Sequence, residues 1–275
     1  MTADRGGGSR VRDLYLDLLI GALTHTLYRD PDAIEVPAEI ADELIGPVIE
    51  AGEAKLIFDP HRTRAEGRDW PRHGQTMIGV ERLRNVRDCV EAVLDEGVPG
   101  DLIEAGAWRG GVGILMRGVL EAHGDADRAV YVADSFAGIP EPDVERYPAD
   151  AGHRGHELDF LAVGVDEVRD NFRRYGLLDD RVRFVEGRFR ESLPSLRGHR
   201  WALVRLDGDL YESTIDALVN LYDGLSPGGF VIVDDYAFAQ CRAAVEDFRS
   251  ERGIDEAIER IDWSGAYWRR GGEGR

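Results

Sequence analysis

Cysteine is nearly absent from this sequence. The only two, Cys89 and Cys241, stand far apart without CxxC spacing, which excludes a disulfide framework. Both fall in helix-like stretches and read as buried thiols. No apolar run approaches bilayer length, and residues 1–12 hold no apolar signal core, so a cytoplasmic protein is expected. Positive charge is short: 34 Lys and Arg face 53 Asp and Glu, a formal net charge of -19. That balance argues against nucleic acid and against a membrane surface as partners. Lysine is reduced to Lys55 alone, a bias that says little about chemistry. Internal repeats are missing. So are the GxGxxG spacing of dinucleotide sites and the Lys-Ser/Thr of a phosphate-binding loop, so neither NAD nor ATP is favoured.

What the chain does have is length and alternation. Its 275 residues can bury a large core. They read most simply as one α/β domain with extra segments. Residues 1–9, Gly-rich and polar, are expected to form a disordered leader, and residues 10–275 a single domain. Helices are expected over 11–28 and 36–50, the second with Pro37 in its first turn. Residues 58–79 carry Arg62, Arg64, Arg68, Trp70, Arg72 and His73 without a period, and their length suggests an active-site cover or a surface loop. From residue 80 helices alternate with short apolar runs at 101–106, 129–134, 181–186, 201–206 and 230–235, with helices at 80–96, 114–123, 165–175, 213–225 and 241–252 between and after them. This predicts a doubly wound, mostly parallel sheet. A polar insertion occupies 138–160, and 256–262 with 266–270 are expected to close the chain as a hairpin.

The chemistry gathers where the apolar runs stop. The fourth runs into Asp207-Gly208-Asp209, the fifth into Asp234-Asp235. In a parallel sheet both sites lie at carboxyl ends of strands, the edge that binds ligands. Four carboxylates on one rim repel each other, so positive charge should sit among them, and an Mg²⁺-like ion is the simplest source. The alternative is that these acids cap helices or face solvent, and Glu212 reads as a helix start. Gly106, Gly110, Gly111 and Gly113 follow the first strand and open a helix, where glycine lets the backbone approach a ligand closely. Asp134 ends the second strand, placed either to accept from the two hydroxyls of a ribose or to cap a helix. Glu104-x-Gly106 followed by such an acid is the pattern of S-adenosylmethionine methyltransferases. Phe189, after the third strand, either stacks on the adenine or joins the core.

Taken in order, Thr76-Met77-Ile78-Gly79 with Arg82 and Asn85, Glu104-Ala105-Gly106-x-Trp108-Arg109-Gly110-Gly111, Ala133-Asp134-Ser135-Phe136-x-Gly138-x-Pro140, Leu206-Asp207-Gly208-Asp209-Leu210-Tyr211-Glu212-Ser213-Thr214, Pro227-Gly228-Gly229 and Asp234-Asp235-Tyr236 resemble the macrocin O-methyltransferase family. The likeness runs from about residue 58 to the end. It implies a class I, Rossmann-like core over 80–275, accessory helices and a lid over 10–79, and a homo-oligomer. It also implies the use of S-adenosyl-L-methionine and Mg²⁺ to methylate deoxysugar hydroxyls of glycosylated antibiotics. By the same resemblance Asp207, Asp234 and Asp235 are the metal ligands and Asp209 the general base, a histidine being the alternative base. It would have Glu104, Gly106, Asp134, Ser135, Met77 and Phe189 hold the cofactor. Independently of the resemblance, segments 58–79 and 138–160 are expected to close over the site, with Trp70, His73, His153 or His156 touching the sugar or its aglycone. Two other readings share parts of this pattern. One is a metal-dependent catechol methyltransferase; the other is a non-catalytic protein that kept the cofactor fold.

Overall fold

A computed structural model describes residues 5–28, 33–37, 39–40 and 60–272. Five parallel strands, β1 (Asp101–Ala105), β2 (Val130–Asp134), β3 (Val182–Glu186), β4 (Trp201–Leu206) and β5 (Leu225–Val233), are joined by an antiparallel pair, β6 (Glu259–Arg260) and β7 (Ala266–Arg269). The order across the sheet is β3-β2-β1-β4-β5-β7-β6. Chain order reverses between β1 and β4, so the crevice of a doubly wound sheet opens at their carboxyl ends. The expected closing hairpin is present and pairs Phe230 to Val233 with Arg269 to Ala266. β5 starts earlier than the apolar run suggested. Gly228 and Gly229, expected as a turn, already exchange backbone hydrogen bonds with Arg270.

Among the described residues the helices are α1 (Arg5–Leu23), α2 (Pro60–Ala65), α3 (Val80–Asp95), α4 (Gly111–His123), α5 (Val165–Arg174), α6 (Phe189–Ser192), α7 (Tyr211–Leu221) and α8 (Ala239–Arg252). In α3 the buried Leu83, Val86, Val90 and Val93 recur at three- and four-residue steps, the stripe that faces a sheet. α4 is buried along nearly its whole length, and its only buried charge, Arg117, pairs with Glu121 and Asp179. The leader expectation needs correcting, because α1 begins at Arg5. Residues 1–4 lie outside the described residues. Leu16, Leu19, Ile20 and Leu23 of α1 are buried in the same apolar cluster as α3, α4 and one face of the sheet. The second expected helix, 36–50, falls mostly outside the described residues; Val36 and Pro37 are not helical, while Glu39 and Ile40 are. Both cysteines are buried free thiols, as expected.

The insertion at 138–160 forms three short 3-10 turns and is tied to the core by one acid. Buried Asp150 accepts the backbone N–H groups of Tyr211 (2.6 Å) and Glu212 (3.1 Å), the first turn of α7. Leu210 precedes that helix and offers no side-chain cap, so the cap comes from sixty residues away. Asp150→Ala should cost about 1–2 kcal/mol, the usual worth of an acidic cap at a helix N-terminus. Urea denaturation measures this, and an unchanged midpoint would show that the contact carries no stability.

Candidate active site

The strand tips are held in register one residue past the sheet. Asp207 N–H donates to Ala105 O (2.8 Å), Asp234 N–H to Leu206 O (2.9 Å) and Gly106 N–H to Ala133 O (2.8 Å). This brings Asp207, Asp234 and Asp235 together: each offers one carboxylate oxygen, all within 4.8 Å of one another. They are the three acids that the resemblance singled out, and hard divalent cations favour such an oxygen set.

The protein supplies some of the positive charge itself, which sequence reasoning missed. Arg205 of β4, 1% exposed, donates through Nη1 to Glu104 Oε1 (2.7 Å) and through Nη2 to Asp207 Oδ2 (2.9 Å) and Asp234 Oδ1 (2.5 Å). Arg82 of α3, also buried, pairs with the second oxygen of Asp234 and with Asp262 (3.0 Å). Repulsion at the rim therefore does not by itself demand an ion. Yet two guanidinium groups stand among six carboxyls, Glu104, Asp207, Asp209, Asp234, Asp235 and Asp262, so the acids outnumber the bases. A metal also fits the donors that remain: Asp207 Oδ1 and Asp235 Oδ1 accept no hydrogen bond from a described residue, and each Asp234 oxygen keeps a second lone pair.

That excess shows in the titration of the acids. Burial pushes the Asp207 carboxyl up to about 6, with Arg205 opposing and Asp234 adding to the rise. Burial and then the charges of Asp207 and Asp234 push Asp209 up to about 7. Burial lifts Glu104 to about 8 against the pull of Arg205, and lifts Asp235 well above the carboxylate range with Asp209 next in effect. A carboxyl raised on folding binds its proton more tightly in the folded state. From about pH 4, where unfolded carboxyls titrate, the folded ion-free protein thus holds more protons than the unfolded chain, and its stability falls as pH rises. The decline extends to the Glu104 value of about 8. Ion-free protein should melt at a lower temperature at about pH 8 than at about pH 5.5, and Mg²⁺ should raise the melting temperature more at the higher pH. A Mg²⁺ effect independent of pH in differential scanning fluorimetry would contradict this.

Asp209 has an unusual backbone, with φ +59° in the left-handed region. Its N–H donates to Asp235 Oδ2 (3.0 Å), which fixes the turn, while its own carboxylate accepts no hydrogen bond from a described residue and faces the cleft. None of the seven histidines lines that cleft. Of the two candidate bases, only Asp209 lines the cleft.

Met77, Glu104, Gly106, Asp134, Ser135 and Phe189, which the resemblance gave to the cofactor, all line the same cleft. Their contacts refine the sequence reading. Gly106 has φ +98°, and a Cβ there would lie 1.6 Å from the Asp207 carbonyl oxygen. Glycine is required first by the approach of β1 to the turn after β4. Gly111 and Gly113 belong to the first turn of α4, and a Cβ on Gly111 would meet Gln75 O at 2.5 Å. Glu104 lies beneath this loop and accepts Gly113 N–H through Oε2 (2.9 Å). Asp134 clasps two loops, accepting N–H from Ala107 (2.7 Å) and Trp108 (3.3 Å) on one oxygen and from Phe136 (2.7 Å) on the other. Ser135 Oγ donates to Gly138 O (2.8 Å). Half-buried Phe189 packs on the second apolar cluster while its ring lies against Gly208, so it is both core and cleft wall.

The two irregular segments meet over the cleft. Trp70 and Phe160 contact edge to face at 6.3 Å. Trp108 Nε1 donates to Phe160 O (3.0 Å), and Arg109 Nη1 donates to the carbonyls of Pro71, Arg72 and Gly74. Among the proposed acceptor contacts only Trp70 lines the cleft. His73 and His156 are exposed away from it, and His153 is buried within the insertion, accepting Gly155 N–H at Nδ1 (3.3 Å), where burial lowers it to about 4. Phe238, Trp263 and Ser264 complete the wall and were not foreseen. Trp263 Nε1 donates to Glu66 O (2.8 Å), with the Arg68 guanidinium 4.7 Å from its ring. The cleft encloses ≈ 1500 Å³ including its open mouth.

Residues 12–270 match the family model described as macrocin-O-methyltransferase (TylF). The chain is 51% identical over 259 residues to 8-demethyl-8-(2,3-dimethoxy-alpha-L-rhamnosyl)-tetracenomycin-C 4'-O-methyltransferase of Streptomyces olivaceus, covering 94% of this chain and 93% of that one. It is 47% identical over 261 residues to demethyldecarbamoylnovobiocin O-methyltransferase of Streptomyces niveus, with the same shares covered. The solved structure of the O-methyltransferase NovP superposes with a TM-score of 0.83 at 46% identity, over 94% of this chain and 99% of that one.

Proposed function

This chain belongs to the macrocin-O-methyltransferase family, and we propose that it methylates a deoxysugar hydroxyl of a glycosylated natural product. Its family and named relatives make it an O-methyltransferase. In this reading Asp207, Asp234 and Asp235 hold a divalent ion such as Mg²⁺, and Met77, Glu104, Gly106, Asp134, Ser135 and Phe189 form the cofactor side of the cleft. The protein works as a cytoplasmic homo-oligomer. When bound, S-adenosylmethionine supplies the methyl group and the ion supplies charge that favours an ionised hydroxyl.

The remaining work falls to the chain. A sugar hydroxyl is almost fully protonated at neutral pH, so it needs a base within reach. The Asp209 carboxylate is suited to accept that proton: it faces the cleft, it makes no hydrogen bond to a described residue, and burial raises its pKa toward neutrality. The left-handed turn and the backbone N–H bond to Asp235 fix the main chain that carries it. The Gly106 loop, braced by Glu104 and Asp134, sets one reactant against the other, and such orientation supplies several kcal/mol of acceleration. Trp70 and Trp263 line the cleft toward the cover and help exclude water.

The observation that carries this reading is the gathering of Asp207, Asp234 and Asp235 beside Asp209 at the sheet's switch point. The two polar segments 58–79 and 138–160 suit a bulky glycoside better than a catechol. Incubation with isotope-labelled S-adenosylmethionine, Mg²⁺ and a panel of deoxysugar glycosides and catechols, read by mass spectrometry, tests it. Label on a sugar hydroxyl is expected. Label on catechols alone would reject the acceptor class.

A further inference from the structure

Arg205 is the only charged residue of β4, and it is buried like the rest of the strand. Exchanging a buried ion network for apolar side chains is often neutral or stabilising, so fold stability does not account for it. Its Nε is buried with no hydrogen-bond partner, so only the two Nη atoms are satisfied. They join three carboxylates. Through Glu104, Arg205 reaches Gly113 N–H in the first turn of α4, beneath the glycine loop. Through Asp207 and Asp234 it reaches the acidic triad. Beyond Asp234 the chain of charged contacts continues through Arg82 to Asp262 and to Gly67 O (3.3 Å) in the cover.

We propose that Arg205 is a positioning residue that couples ion binding at the Asp207, Asp234 and Asp235 cluster to cofactor binding at the Gly106 loop. The inference rests on the assignment of those two sites under Proposed function. The physical reason is competition for one guanidinium. With no ion present, Arg205 is shared among three acids that all attract it. A divalent ion drawn to Asp207 and Asp234 takes up part of their charge, and Arg205 then pairs more strongly with Glu104. Glu104 in turn holds the start of α4 and the loop leading into it. Coupling between two binding sites is reciprocal, so the cofactor must strengthen ion binding by the same factor.

Isothermal titration calorimetry of the full chain at about pH 9, where Glu104 is ionised, tests this with S-adenosylhomocysteine, which lacks the sulfonium charge, with and without MgCl₂. In the parent, Mg²⁺ should tighten S-adenosylhomocysteine binding about fivefold or more, the lower end of common coupling factors. In Arg205→Lys a single ammonium keeps the charge but cannot bridge three acids, and the factor should fall to about twofold or less. Glu104→Gln, which keeps an acceptor for Gly113 N–H but removes the charge that Arg205 follows, should lose coupling in the same way and serves if the lysine variant does not fold. A parent-like factor in either folded variant overturns the proposal, as does a parent that binds both ligands without coupling. A parent that binds neither Mg²⁺ nor S-adenosylhomocysteine overturns the site assignment along with it.

Discussion

Asp209→Asn should bind S-adenosylhomocysteine and Mg²⁺ as the parent does, yet turn over about 10²–10⁴-fold more slowly, the usual worth of a general base. Asparagine is the informative replacement because the position has φ +59°, a region that Asn and Asp enter more readily than most side chains. Its N–H can still reach Asp235, so the turn is preserved and only proton acceptance is lost. The parent's rate should fall as pH drops below the Asp209 pKa, about 7 without an ion and lower beside one. The Asn variant should lack that acidic limb. Single-turnover rates from pH 5 to 9 with calorimetric binding decide the matter. A variant at parental rate would remove Asp209 from the role, and no histidine lines the cleft to take its place.

Asp207→Ala should abolish the response to Mg²⁺ and lower turnover about 10³-fold, since charge stabilisation by a bound ion is worth several kcal/mol. The core should survive the change. Arg205 keeps Glu104 and Asp234 as partners, and one member of an over-acidic cluster is gone. The ion-free melting temperature should therefore stay level or rise, while the increase brought by Mg²⁺ disappears. This pairing of results separates ligand loss from general damage. A variant that still gained rate and thermal stability from Mg²⁺ would show that the ion sits elsewhere.

Much of this architecture was legible because its signals are local. Each parallel strand is a short apolar run, and each rim acid stands where a run stops, so Asp134, Asp207, Asp234 and Asp235 could be placed from the order of residues alone. Arg205 could not. A lone arginine inside Trp-Ala-Leu-Val-Arg-Leu gives no hint that its partners come from β1 and the end of β5. The glycines misled in a related way. Gly106 and Gly111 suggested room for a ligand, whereas protein backbone already fills the space a side chain would need. Trp263 and Phe238 reach the cleft from beyond β5, a proximity that only the folded sheet creates. Helix α1 hides its start because three consecutive glycines, Gly6 to Gly8, argue against helix, yet the described helix runs through them from Arg5.

The contact between Gly106 and the Asp207 carbonyl has a practical side for anyone who would graft parts between such enzymes. The tip of β1 and the tip of β4 form one joint, with a clearance too small for a methyl group. A transplanted loop that put any larger residue at position 106 would wedge that joint open, and the damage would reach the turn that carries Asp207 although the change lay on β1.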